Sequence, residues 1–274
     1  MRSVVICSCF VAALTGFPSA SDGVGATATP FRLGAHHEPI IGVRVNGEGP
    51  FPFILDTGST HSSVGAELAR ALGALAVAKT TVTTSLGQHV QPVVNLERVE
   101  IGPVTRLNVL ATEVPDQGLG NKHDVRGVLG QDVLGSLVYT VDFAARRVEW
   151  NPDIGARSTL LPTLNLRSTQ GRFLAELPQP QSTLWLVPDS GAETLVPYER
   201  PQAQLPPLVR HRGVAWLSTL SDRQAVEAVQ VSRLLVGDTN LTDVPAVLVK
   251  RDDGDASLGD GLLPLAMFER VTFD

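Results

Sequence analysis

Cysteine is almost absent from this sequence, which contains only Cys7 and Cys9. Both lie in an N-terminal apolar segment that has the features of a removable export signal. If this segment is removed, the remaining chain has no cysteine at all. Disulfide bonds are then excluded as a source of stability, and the exported chain must be held together by its core alone.

A surplus of positive charge is also missing, because 28 acidic residues outnumber 22 basic ones and the formal net charge is −6. A basic patch is the electrostatic mark of proteins that bind nucleic acids, so no such partner is expected. Charged residues make up only 18% of the chain, whereas 19 prolines and 25 glycines are present. This composition is typical of a protein built from strands and turns rather than from helices.

The N-terminal apolar run, Val4–Leu14, is too short to cross a bilayer comfortably. It follows Arg2 and precedes the small residues Pro18–Ala20, which is the pattern of an export signal. We therefore predict that residues 1–20 are a signal peptide and that the protein is periplasmic or secreted, with an uncleaved anchor as the alternative. Residues 21–39 are predicted to be a linker, because their first part is rich in Gly, Ala, Thr and Pro without periodicity.

Two apolar segments end abruptly in an aspartate that is followed by a hydroxyl residue and a glycine. Phe51–Leu55 leads into Asp-Thr-Gly at 56–58, and Leu184–Val187 leads through Pro188 into Asp-Ser-Gly at 189–191. Apolar runs bounded by turn residues predict buried strands. A carboxylate at the end of a buried strand is costly unless it is hydrogen-bonded or functional. Each tripeptide alone could also be an ordinary turn.

The two motifs belong to a repeat that extends over most of the chain. Three pairs of landmarks recur at offsets of 133 to 135 residues: Asp56 and Asp189, Gly127 and Gly261, and Gly102 and Gly237. Coincidence would not keep one spacing over the whole chain. The common offset therefore predicts a duplicated unit from about Ile40 to the end.

An apolar strand that ends in Asp-Thr-Gly or Asp-Ser-Gly resembles the signature of the retropepsin-like and pepsin-like aspartic proteases. The repeat resembles their single-chain, internally duplicated bacterial members. This resemblance implies an all-β fold with two duplicated β-barrel lobes and a few short helices. It places an N-terminal lobe at residues 40–157 and a C-terminal lobe at residues 158–274.

The resemblance also implies an aspartic endopeptidase, in which Asp56 and Asp189 together activate one water to hydrolyse a peptide bond. Like charges a few ångströms apart cannot both ionise easily, so the two carboxyls are expected to share one proton. Such an enzyme needs neither a metal nor a cofactor. Because one chain carries both motifs, we expect a monomer that acts on peptide or protein substrates.

The residues after each aspartate receive supporting roles from the same resemblance. Thr57 and Ser190 are expected to hydrogen-bond across the lobes, in loops that Gly58 and Gly191 allow to turn tightly. The alternative is that these are ordinary turn residues.

One further difference between the two loops lies at their next position. Ser59 is expected to hydrogen-bond Asp56 and favour its ionised form, which Ala192 cannot do for Asp189. An unequal dyad is therefore predicted, with Asp189 favoured as the carrier of the shared proton.

A hairpin at Thr83–Gln88 is the candidate flap, a lid that would cover the substrate and exclude water. Its tip is formed by Ser85, Leu86 and Gly87, and its counterpart in the second half is near Leu217–Arg223. Neither tip carries the tyrosine expected in a pepsin flap, so the retropepsin-like enzymes are the closer comparison. The alternative is a pair of plain surface hairpins.

Two prolines depart from the family pattern in the second half. Pro188 stands directly before Asp189, and Pro264 replaces a glycine after the second apolar pair. Proline lacks a backbone donor and restricts its neighbour, so the geometry of the second loop is open at this point. The alternative function is therefore a catalytically inactive peptide-binding protein on the same scaffold.

Overall fold

The computed structural model describes residues 3–8, 27–119, 125–153, 162–200, 205–251 and 258–274, without the side chains of 3–8 and 210–212. Within these ranges the chain forms twenty strands and two short α-helices. The strands are β1 (Ser3–Ser8), β2 (Thr27–Leu33), β3 (Pro39–Val45), β4 (Glu48–Leu55), β5 (Ser63–Gly65), β6 (Ala76–Thr83), β7 (Gln88–Ile101), β8 (Val104–Val114), β9 (Gly127–Leu129), β10 (Tyr139–Asp142), β11 (Arg147–Trp150), β12 (Thr163–Thr169), β13 (Arg172–Gln179), β14 (Ser182–Asp189), β15 (Val196–Glu199), β16 (Leu208–Ser218), β17 (Arg223–Val236), β18 (Thr239–Lys250), β19 (Gly261–Pro264) and β20 (Arg270–Phe273). The helices are α1 (Ala66–Ala71) and α2 (Gln131–Leu134). None of the helices in these ranges has the length and apolarity needed to cross a membrane.

The first hairpin shows how local sequence sets the strands. Ile41, Val43 and Val45 alternate along β3 and are at most 1% exposed, so one face of the strand enters the core. Asn46 and Gly47 follow, both with positive φ, and turn the chain into β4. This is the conformation that tight hairpins need, and an Asn-Gly pair adopts it readily.

The same set of strand pairings occurs twice. In the first lobe β4 runs parallel to β9, β5 pairs with β8 and β9, and β6, β7 and β8 form an antiparallel meander. In the second lobe β14 runs parallel to β19, β15 pairs with β18 and β19, and β16, β17 and β18 form the equivalent meander. The predicted all-β, two-lobed architecture is confirmed.

A sheet of six strands joins the lobes in the order β12, β1, β20, β10, β11, β2. At its centre the buried hydroxyls of Thr140 and Thr272 hydrogen-bond at 2.8 Å. Tyr139 stacks on Phe273 with ring centroids 4.9 Å apart. This sheet is continuous with both lobes, so it holds the two aspartate loops in a common frame. The predicted boundary at 157/158 falls outside the described residues.

The predicted linker is wrong for Thr27–Leu33, which form β2 between β11 and β3. Phe31 is 7% exposed, and Trp150 Nε1 donates to Thr29 Oγ1 at 2.8 Å. The composition of this segment suggested a loop. It becomes a strand because two neighbouring strands satisfy its backbone groups and bury Phe31, a tertiary effect that overrides weak local propensity.

The predicted signal peptide overlaps β1, which lies parallel between β12 and β20. Residues 9–26, including the predicted cleavage site, lie outside the described residues. Export with cleavage after Ala20 would remove β1 from the sheet. The N-terminal residue of the exported protein tests this prediction: Ser21 is expected, and an intact Met1 would contradict cleavage.

Candidate active site

The two aspartates lie at the ends of equivalent strands. Asp56 follows β4 directly, and its N–H donates to Leu129 O of β9 at 3.0 Å. Asp189 is the last residue of β14, which is paired with β19 in the same parallel manner. Because the joining sheet fixes the lobes, the two strand ends face each other.

Each carboxylate is held by its own loop in the same way. Asp56 Oδ1 accepts hydrogen bonds from the N–H groups of Gly58 at 2.9 Å and Ser59 at 3.1 Å. Asp189 Oδ1 accepts from the N–H groups of Gly191 at 2.7 Å and Ala192 at 3.0 Å. Two backbone donors on one oxygen leave the second oxygen of each carboxyl available to the other carboxyl or to a ligand.

The carboxyls of Asp56 and Asp189 lie close enough together to interact through a shared proton. Each also packs against the glycine of the opposite loop. A Cβ built on Gly58 would lie 2.6 Å from Asp189 Cγ, and a Cβ built on Gly191 would lie 3.1 Å from Asp56 Cγ. Glycine at these two positions is therefore what allows the aspartates to meet.

Thr57 and Ser190 are 1% exposed and connect the two loops by four hydrogen bonds. Thr57 Oγ1 donates to Pro188 O at 2.7 Å and accepts from Ser190 N at 3.0 Å. Ser190 Oγ donates to Leu55 O at 2.6 Å and accepts from Thr57 N at 3.0 Å. A buried polar group left unpaired costs about 1–3 kcal/mol, so this reciprocal network strongly resists separation of the loops.

Neither proline distorts the second loop. Pro188 contributes its carbonyl to the network, and the hydrogen bonds to Asp189 match those to Asp56. Pro264 ends β19 with φ −69 and ψ 122 and caps a 3-10 turn at Leu265–Met267. Its missing N–H and fixed φ are compatible with that extended position.

The side chain of Ser59 does not hydrogen-bond Asp56 as expected. Ser59 Oγ donates to His61 O at 2.9 Å, and only its backbone N–H reaches Asp56. Ala192 supplies Asp189 with an equivalent N–H. The expected side-chain difference between the two loops is therefore absent.

The electrostatic surroundings of the two carboxyls nevertheless differ. Burial raises the pKa of Asp56, whereas the Gly58 N–H, the hydrogen bond with Asp189, the Ser59 N–H and the charge of Arg172 lower it. Burial raises the pKa of Asp189 well above its ordinary value, and the negative charge of Asp56 raises it further. Asp189 is 8% exposed, whereas Asp56 is less completely buried. Both carboxyls therefore have a raised pKa, and that of Asp189 is raised more strongly.

Two residues near the loops were missed in the sequence. Gln131 Nε2 donates to Thr57 O at 2.7 Å, which ties the start of α2 to the first loop. Arg172 is 9% exposed, and its Nε donates to Gly58 O at 3.2 Å from the other lobe. The position of Gln131 directly after the apolar-apolar-Gly segment could have suggested its role. No local pattern marks Arg172.

The candidate flap, at the turn between β6 and β7, reaches across to the second lobe. Ser85 Oγ and Tyr198 OH lie 2.8 Å apart, and Arg251 Nη1 donates to Thr84 O at 2.8 Å and to Ser85 O at 2.9 Å. Leu86 packs on a hydrophobic cluster of the second lobe around Tyr198. Gly87, with φ 155, closes the turn.

The counterpart hairpin, between β16 and β17, reaches in the opposite direction. Leu220 packs on a cluster of the first lobe that includes Leu119, and its carbonyl lies against Gly118. Asp222 pairs with His89 on the first hairpin. Each tip is thus held by the opposite lobe, with a leucine inserted at equivalent positions.

Comparisons with known proteins agree with the family resemblance. A family model described as aspartyl protease matches residues 41–133, a range that contains Asp56 and the start of α2. Among solved structures, a retropepsin-like aspartic protease from Rickettsia conorii is 20% identical over 49% of this chain and 96% of that chain, with a TM-score of 0.34. Basic 7S globulin from soybean is 11% identical over 89% of this chain and 90% of that chain, with a TM-score of 0.47. No curated protein matches the sequence.

Proposed function

We propose that this protein is an aspartic endopeptidase in which Asp56 is the general base and Asp189 the general acid. One observation carries the proposal: two carboxyls from separate lobes face each other closely, in buried surroundings that favour one shared proton. A structural turn needs no such facing pair. The match of the first lobe to the aspartyl protease family supports the assignment.

The mechanism follows from the protonation states. The ionised Asp56 takes a proton from a water between the carboxyls, and the water oxygen attacks the peptide carbonyl carbon. Asp189 gives its proton to the carbonyl oxygen, which would otherwise develop negative charge. The tetrahedral intermediate collapses as the proton held by Asp56 passes to the leaving nitrogen and the intermediate returns a hydroxyl proton to Asp189. Both carboxyls then regain their starting states.

The two hairpins favour an extended polypeptide as the substrate. Their tips make reciprocal contacts with opposite lobes, and we propose that these contacts separate when a substrate enters. A flexible, extended segment needs less separation than a folded domain. We therefore propose unfolded proteins or exposed loops as substrates.

Incubation with an unfolded protein tests the proposal. We expect peptide bonds to be cleaved, slower cleavage of the same protein in its folded form, and inhibition by a compound that mimics the tetrahedral intermediate. Binding of the unfolded chain without cleavage over a wide range of pH would instead support the inactive peptide-binding function.

The pH profile of the activity should be bell-shaped. Activity falls at low pH because Asp56 must be ionised and gains a proton there. Activity falls at high pH because Asp189 must be protonated and loses its proton there. Because both pKa values are raised and that of Asp189 more so, both limbs should lie above the pH range of an ordinary aspartate. The optimum is still expected on the acid side of neutrality. The measurement is kcat/KM against pH with one peptide, and a profile still rising above pH ~8 would contradict the dyad mechanism.

The protein should be active as a monomer, because one chain already brings both carboxyls together. Sedimentation of the full-length chain over a range of concentrations, with activity measured in parallel, checks this expectation. Specific activity should stay constant upon dilution. A loss that follows the dissociation of a dimer would contradict it.

A further inference from the structure

The hydrogen bonds within the two aspartate loops are equivalent and so do not favour protonation of one carboxyl over the other. Each carboxylate accepts two backbone N–H groups at equivalent positions, and the threonine and serine between the loops exchange equivalent bonds. A symmetric pair has no preferred place for a shared proton. Any preference must therefore come from the unequal burial of the two carboxyls or from groups outside the loops.

Arg172 is such a group. It is the first residue of β13 in the second lobe, yet its Nε donates to the carbonyl of Gly58 in the first loop at 3.2 Å. The residue is 9% exposed, so its charge is only weakly screened by water. This charge lowers the pKa of Asp56.

The first lobe has no cation at the position equivalent to Arg172. Arg172 stands 17 residues before Asp189 (189 − 172), and the residue 17 before Asp56 is Pro39 (56 − 39). Both begin the equivalent strand of their lobe. Proline carries no charge and its ring cannot reach a carbonyl as a donor, so the duplicated scaffold is unequal at this position.

The other charged and titratable groups nearby come from both lobes, with His61 and Asp132 beside the first loop and a group around Tyr198 in the second lobe. Tyr198 is fully buried, and its hydroxyl contacts Ser85. The guanidinium carbons of Arg200 and Arg251 lie 5.5 Å and 5.2 Å from the centre of the Tyr198 ring. Both arginines thus lie against the Tyr198 ring, whereas Arg172 donates to Gly58 O of the first aspartate loop.

We propose that Arg172 is a positioning residue that makes the dyad unequal: it holds the Gly58 carbonyl and keeps Asp56 as the ionised carboxyl, which leaves the shared proton on Asp189. This inference rests on the proposed function for its kinetic consequence, but the protonation state of the two carboxyls is a property of the protein itself. Arg172 thereby favours the first lobe as the source of the base and the second lobe as the source of the acid.

Titration of the carboxyls tests the proposal without any substrate. The full chain is labelled with 13C in the aspartate carboxyls, and the resonances of the pair are assigned with Asp56→Asn and Asp189→Asn. In the parent, Asp56 should ionise at lower pH than Asp189. In Arg172→Met, the pKa of Asp56 should rise towards that of Asp189, and Arg172→Lys should restore part of the difference because it keeps the charge.

Arg251→Met is the matched control, since Arg251 is another buried arginine but donates to the carbonyls of Thr84 and Ser85 rather than to that of Gly58. It should leave the order of titration unchanged. If Arg172→Met does not fold, as judged by thermal unfolding, Arg172→Gln provides a second neutral variant that retains a donor. Parent-like titration of Asp56 in a folded neutral variant would overturn the proposal.

The kinetic readout separates this inference from the proposed function. In Arg172→Met the acid limb of the kcat/KM profile should move to higher pH. Relative to the parent, kcat/KM at a pH on this limb should therefore fall about threefold more than kcat/KM at the optimum. In Arg172→Lys the acid limb should return towards its pH in the parent. Suppose that neither the parent nor any variant cleaves a peptide, and that Arg172→Met still changes the titration of Asp56 as expected. The proposed function then fails, whereas the role of Arg172 stands.

Discussion

Replacement of either Asp56 or Asp189 by asparagine should lower kcat by at least about a thousandfold, because an amide can neither take a proton from water nor give one to the carbonyl oxygen. The fold should persist. An asparagine Oδ1 can still accept the two backbone N–H groups that now bind each carboxylate. Removal of one of two close acids should also relieve their repulsion, so neither variant should lose stability.

Asp238→Asn is the matched control for these variants. Asp238 begins Asp-Thr-Asn, a similar tripeptide, but it lies exposed at the turn between β17 and β18. Its replacement should leave kcat/KM within about twofold of the parent. The measurement is the turnover of one peptide by carefully purified proteins, with circular dichroism as the check on folding. Appreciable turnover by Asp56→Asn or Asp189→Asn would rule out the dyad as assigned.

Gly58→Ala should lower kcat/KM by about a hundredfold through displacement of Asp189 in the opposite loop. The new Cβ would lie 2.6 Å from Asp189 Cγ and 2.7 Å from its Oδ2, closer than real Cβ contacts allow. Gly58 is not among the glycines with positive φ, so the backbone itself tolerates alanine and the effect is steric. A reacting group moved by about 1 Å commonly costs two orders of magnitude in rate.

Gly191→Ala should be less damaging, because its Cβ would lie 3.1 Å from Asp56 Cγ and a shift of a few tenths of an ångström relieves the contact. Gly213→Ala is the control, since its nearest neighbour would be Ala228 Cβ at an ordinary 3.6 Å. The comparison uses kcat/KM at the optimum together with thermal unfolding. Equal or greater loss in Gly191→Ala than in Gly58→Ala would contradict the packing described for the two loops.

Much of the fold could be predicted because its signals are local. An Asn-Gly pair with positive φ at both residues turns β3 into β4, and alternating apolar residues place one face of β3 in the core. The segment Thr27–Leu33 shows the limit of this reasoning. Its composition predicted a linker, whereas pairing with β3 and β11 made it a strand.

The sequence by itself determined where the two carboxylates come from. An apolar run followed by Asp56 or Asp189 and a glycine specifies a strand end and a tight loop, and the common offset specifies that two such units occur. These features depend on residues that are neighbours in the chain. Local propensity and spacing are therefore sufficient to predict them.

Only the tertiary structure decided which groups surround those carboxylates. The path of the loop directs the hydroxyl of Ser59 to His61 O instead of Asp56. Arg172 reaches Gly58 across 114 residues of sequence, and Leu86 packs on the opposite lobe. Such contacts depend on how the joining sheet orients the two lobes, and no local pattern encodes that orientation. The proposed division of labour between the two aspartates therefore depends on contacts that only the folded chain makes.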